Sequence, residues 1–106
     1  MSGSRMTVPT ALILTSMVGG ARYGFDIMDA TGLPSGTVYP ALRRLEGSGC
    51  LRSRWEPARA ALEAKRPRRR IYEVTGEGAA LLPRARAKLE SLPSLSGGRL
   101  LRPSGG

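Results

Sequence analysis

The chain has 106 residues, of which 41% are hydrophobic and 5% aromatic, with one cysteine, no histidine and a net charge of +9. That length suggests one domain, and that hydrophobic fraction excludes a fully disordered chain. Without histidine the commonest acid–base catalyst and metal ligand is missing, while the positive charge points to polyanions such as nucleic acid or an anionic membrane surface.

Cys50 has no internal disulfide partner, which fits a reducing cytosol, and its neighbours Gly49 and Leu51 suggest a structural thiol. No apolar stretch reaches the roughly 18 residues needed to span a membrane. The apolar run from Val8 to Val18 follows Arg5 and resembles a signal peptide at first sight. Pro9, Thr10, Thr15 and Ser16 interrupt it, and no small-x-small cleavage site follows, so an amphipathic helix explains it better. A cytoplasmic protein with no membrane partner is expected.

Residues 1–6 read as a flexible leader. Thr7 can cap a first helix that tolerates Pro9 in its first turn, with Val8, Ala11, Leu12, Leu14, Met17 and Val18 at helical spacing and Gly19-Gly20 as its stop. A second helix covers roughly 23–31, with Phe25, Ile27 and Met28 as apolar contacts, and stops at Gly32. A third runs from Pro34 or Ser35 to about Glu46, with Val38, Leu42 and Leu45 as its buried stripe.

Two strands follow. In 51–55, Leu51, Ser53 and Trp55 alternate with Arg52 and Arg54, and Trp55 is expected to pack in the core. The run Arg70-Ile71-Tyr72-Glu73-Val74 is strand-forming, and the pair makes an antiparallel hairpin with a long tip over 57–68 that has room for a helical turn around 58–64. Thr75 caps a last helix carrying Leu81, Leu82, Ala85, Leu89 and Leu92, which Pro83 should kink or start anew. Residues 93–106 are rich in Pro, Ser and Gly and read as a disordered tail.

The order helix, helix, helix, strand, strand, helix is that of a winged helix-turn-helix, a mainly α fold with a β-hairpin wing. It divides the chain into the leader 1–6, a DNA-binding domain 7–75, a dimerisation helix 76–92 and the tail 93–106. The third helix suits the major groove of double-stranded DNA. Ser35, Gly36 and Thr37 are small and sit at its positive amino end, Tyr39 can reach phosphate or sugar, and Arg43 and Arg44 can reach phosphate or guanine. The hairpin tip adds Lys65, Arg66, Arg68 and Arg69 for phosphate or a narrow minor groove. Cations this dense repel one another unless an anion lies between them, and DNA would supply it.

At these residues the sequence resembles the PadR family of transcriptional regulators. The matching runs are Tyr23-Gly24-Phe25-Asp26-Ile27, Leu33 to Glu46 with its Gly36-Thr37-Val38-Tyr39-Pro40-Ala41-Leu42 centre, Trp55-Glu56, and Arg69 to Gly78. Proline inside this helix is odd by propensity and typical of the family. The resemblance implies a homodimer, usually a repressor on an inverted repeat in a promoter, with Ser35, Gly36, Thr37, Tyr39 and Arg43 on the DNA face and the wing near Arg68 and Arg69 on the backbone. It also implies dimerisation through the final helix together with the first, which here means Leu12, Leu81, Leu82, Ala85, Leu89 and Leu92. Some relatives bind aromatic effectors at the dimer interface. The final helix here carries no aromatic residue, so the existence and identity of a small-molecule effector are left unknown.

An enzyme is not expected: no histidine is present, Cys50 has no evident activating base, and no phosphate-binding glycine loop appears. No cofactor and no metal are expected. Two other readings stay open, a non-specific nucleic-acid binder and a winged-helix module that contacts protein only.

Overall fold

The computed structural model of the chain describes residues 5–92. Most of the expected leader and all of the expected tail lie outside those residues. Helix α1 (Val8–Val18) starts at Thr7, whose hydroxyl accepts the Thr10 amide at 3.2 Å. Pro9 costs nothing there, because first-turn amides have no partner within the helix. Ala11, Ile13, Leu14 and Met17 are buried. The spacing argument misses Ile13 because it looks for one stripe. α1 touches several other elements and so buries more than one side, while Val18 at its end stays half exposed.

Helix α2 (Gly24–Thr31) ends on Gly32, whose φ of 76° is the left-handed stop that glycine adopts without strain. Helix α3 (Ser35–Gly47) buries Val38, Ala41, Leu42 and Leu45. Ile27 of α2 and Leu14 of α1 complete the fully buried centre. Phe25 is a correction to the expected apolar contacts of α2: it is 68% exposed, because the buried side of this short helix centres on Ile27.

Strands β1 (Leu51–Trp55) and β2 (Arg70–Val74) pair antiparallel, with Leu51 opposite Val74 and Trp55 opposite Arg70. Their connection holds helix α4 (Ala58–Glu63), the turn expected from its alanines, anchored by buried Ala61. The Tyr72 amide donates to the Arg22 carbonyl at 2.8 Å and ties the hairpin to the loop before α2.

The last region is two helices, α5 (Gly76–Ala79) and α6 (Leu82–Glu90), because Pro83 occupies the first turn of a new helix. α6 packs along α1 within the same chain. Ala85, which the sequence places on the outer stripe of the final helix, is instead 0% exposed and packs in the core of its own chain. Leu12, Leu81, Leu82, Leu89 and Leu92 remain half-buried. Among the described residues no helix is long and apolar enough to cross a membrane.

Candidate nucleic-acid interface

At 100° per residue, Gly36, Pro40, Arg43 and Gly47 form one stripe of α3, directly opposite its buried stripe. All four are exposed. A Cβ built on Gly36 or Gly47 meets nothing within 4 Å, so no packing inside the chain demands glycine at either position. Pro40 lacks the amide that would bond the Gly36 carbonyl, which leaves that oxygen open to an outside donor. Arg43 has no hydrogen bond or ion pair among the described residues. Pro34 gives the helix no side-chain cap, so the first-turn amides near Ser35 and Gly36 and the positive helix end are uncovered.

Tyr39 and Arg43 lie on the side of α3 nearest the hairpin and share a shallow hollow with Glu46, Arg70 and Tyr72, in which Arg70 lies 4.0 Å from the Glu46 carboxylate. Tyr39 is positioned by Gly24: a Cβ there would come within 2.4 Å of the phenol oxygen, so the ring lies against the first turn of α2. Arg44 goes elsewhere. One residue further round the helix, it lines a hollow with Thr10, Ser48, Leu81 and Arg84 beside α1 and α6. The structure thus parts Arg43 from Arg44, which sequence reading grouped together.

The hairpin tip holds a partner that sequence reading overlooked. Glu56 is 3% exposed, and both of its carboxylate oxygens receive the Arg66 guanidinium, Nη1 onto Oε1 and Nη2 onto Oε2 at 3.2 Å. Oε1 also accepts the Arg69 amide at 2.9 Å, and the Glu56 carbonyl accepts Arg68 Nε at 3.0 Å. The Glu56 amide in turn donates to the Arg69 carbonyl at 2.8 Å. The Arg66 hydrogen bonds hold the Glu56 carboxyl below its ordinary pKa and raise that of Arg66, although burial opposes both shifts. Arg66, expected at a phosphate, is thus a structural clamp of the tip in this fold, its charge paired with Glu56. The signal was present in the lone acid directly after Trp55, but its reach across the tip was not.

Arg69 stacks 3.7 Å over the Tyr23 ring. Lys65 and Arg68 stay exposed, Lys65 in a left-handed turn (φ 58°) beyond the end of α4. Trp55 is a further correction: it is 52% exposed rather than in the core. It closes β1 at the hairpin's outer end, and cross-strand Arg70 sits 5.1 Å over its ring. Arg70, absent from the expected site, also donates to Ser53 Oγ at 3.0 Å. Elsewhere on the hairpin Glu73 pairs with Arg22, Arg52 and Arg54 at 3.2–3.6 Å, and hydrogen bonding from Arg52 chiefly keeps its pKa low. Such exposed pairs contribute little to stability.

Comparison with known proteins agrees with this geometry. The family model described as the transcriptional regulator PadR-like family matches residues 13–84. No curated protein matches the chain. Among solved structures, a PadR family transcription regulator from Clostridium difficile R20291 superposes with a TM-score of 0.68 at 22% identity, over 89% of this chain and 99% of that one. Another from Eggerthella lenta gives 0.61 at 27% identity, over 86% and 80%. Bordetella bronchiseptica BpsR, described by the regulation of its DNA binding by 6-hydroxynicotinic acid, gives 0.68 at 19% identity, over 93% and 70%.

Proposed function

The chain belongs to the transcriptional regulator PadR-like family, and from that premise we propose that it binds a specific duplex DNA site as a homodimer and represses transcription from an inverted repeat. Membership makes the chain a transcriptional regulator with a winged-helix fold, not an enzyme. The observation that carries the finer reading is the outward stripe of α3. It combines side chains too small to hold a groove away with an arginine that has no hydrogen bond or ion pair among the described residues. In this reading Ser35, Gly36, Thr37, Tyr39 and Arg43 meet the major groove and its flanking phosphates. Lys65 and Arg68, on the tip held by Glu56, reach the backbone, and Arg69 supports them through Tyr23. Arg44 lies off the stripe and takes a flanking phosphate. Residues 7–75 form the DNA-binding unit and 76–92 the dimerisation segment. The half-buried leucines Leu12, Leu81, Leu82, Leu89 and Leu92 extend the α1–α6 pair toward a second copy. The protein acts in the cytoplasm.

The test is a titration against two labelled duplexes of equal length, the DNA upstream of the gene and a scrambled version, at two salt concentrations. Specific binding on the order of a thousandfold tighter, with steep salt dependence and dimer stoichiometry, is the expected result. Equal affinity for both duplexes would replace this reading with non-specific binding. No binding at low salt would replace it with a protein-contact module.

A further inference from the structure

Every aromatic side chain of this sequence, namely Trp55, Phe25 and the tyrosines 23, 39 and 72, lines a single groove of about 430 Å³ between α2, α3 and the hairpin. Arg68, Arg69 and Arg70 line it as well, and no carboxylate does. Phe25 and Trp55 are 68% and 52% exposed, so the core does not require these rings. An aromatic cage usually receives a cation. Here the cations are built in, with one guanidinium over Tyr23 and one over Trp55. Arg69 and Arg70 reach carboxylates only through long ion pairs, 3.9 Å to Glu56, which Arg66 already engages, and 4.0 Å to Glu46, so the surplus charge at the groove is positive and the missing charge is negative.

Three guanidinium groups suit a phosphate better than a single carboxylate, because arginine pairs with phosphate oxygens through parallel hydrogen bonds. Open ring faces beside them suit a planar heterocycle, since every nucleobase offers a π-face that stacks on an aromatic side chain. The volume lies within the range of small-molecule pockets. We propose that this groove binds a nucleoside phosphate, its base against Trp55 and Phe25 and its phosphate on the arginines of 68–70. Tyr39 belongs both to this groove and to the proposed DNA face, so ligand and duplex exclude one another. That second statement rests on the DNA reading above, whereas ligand binding does not.

Trp55 is the only tryptophan, so its indole N–H gives one NMR signal that reports on the groove. Titration of the full chain with ADP, in the absence of DNA, is expected to shift that signal saturably. Adenosine and ribose 5-phosphate, each lacking half of the ligand, should bind about tenfold more weakly or worse. Phe25→Ala and Arg70→Gln, read by calorimetry, should each lose about tenfold in ADP affinity. No saturable shift with ADP overturns the site, as does unchanged affinity in Phe25→Ala. A shift with duplex but none with ADP likewise overturns it and leaves the groove to the DNA backbone. For the exclusion, ADP at about ten times its wild-type Kd should weaken duplex binding about tenfold in the wild type and only about twofold in Phe25→Ala. Unchanged duplex affinity in the wild type overturns that half only.

Discussion

Arg43 on α3 and Arg66 on the hairpin tip carry the same charge, and sequence reading assigns them the same task. The fold treats them in opposite ways. Arg43 stands in an outward stripe with no ion pair among the described residues, flanked by glycines and a proline that leave the surface bare. Arg66 is folded onto the 3%-exposed Glu56 through two hydrogen bonds. A cation is most available to an outside anion where the chain has not matched its charge through close hydrogen bonds. A second comparison says the same of glycine. Gly36 meets nothing within 4 Å, whereas a Cβ on Gly78 would lie 2.1 Å from the Cys50 carbonyl oxygen. One glycine leaves room for a partner, and the other lets α5 sit against the end of the β1 strand.

The contrast is testable from its strongest arm downward. Replacing Arg43 with alanine should weaken binding to the specific duplex by about 1–3 kcal/mol, roughly ten- to a hundredfold, with the melting temperature unchanged. An equal loss of stability would mean that the side chain has a structural role after all. Glu56→Gln is a test of sign. Deleting a negative charge beside DNA should tighten binding if charge alone matters, whereas loss of the clamp should loosen it. The expected result is binding a few-fold weaker, with faster hydrogen exchange across residues 57–69.

The same clamp predicts a pH dependence. The folded pKa of Glu56 lies below its ordinary 4.5, so its contribution to stability is complete above that value and is lost as pH falls through the depressed one. The gap in melting temperature between wild type and Glu56→Gln should hold from neutral pH down to about 4.5 and close below it. A smaller effect is expected of Gly36→Ala, which should raise stability by up to about 1 kcal/mol through helix propensity while lowering duplex affinity. Stability and affinity rising together would remove α3 from the groove. Lys65→Ala should change least, reducing the salt slope of binding by about one with little sequence dependence.

The sequence by itself determined the elements, since each follows from neighbours a few residues apart. The Thr7 and Thr75 caps, the stop at Gly32, the α3 stripe, the restart at Pro83 and the helical turn in the tip were all legible, and together they were enough for the winged-helix order. Only the tertiary structure decided which charged and aromatic groups face a partner. Glu56 captures Arg66 across ten residues, Arg70 covers Trp55 from the opposite strand, and α6 buries Ala85 on α1. The physical reason is range. Caps and periodicity act within a turn of the chain, whereas an ion pair or a buried methyl depends on which distant segment the hairpin and the helix packing bring alongside.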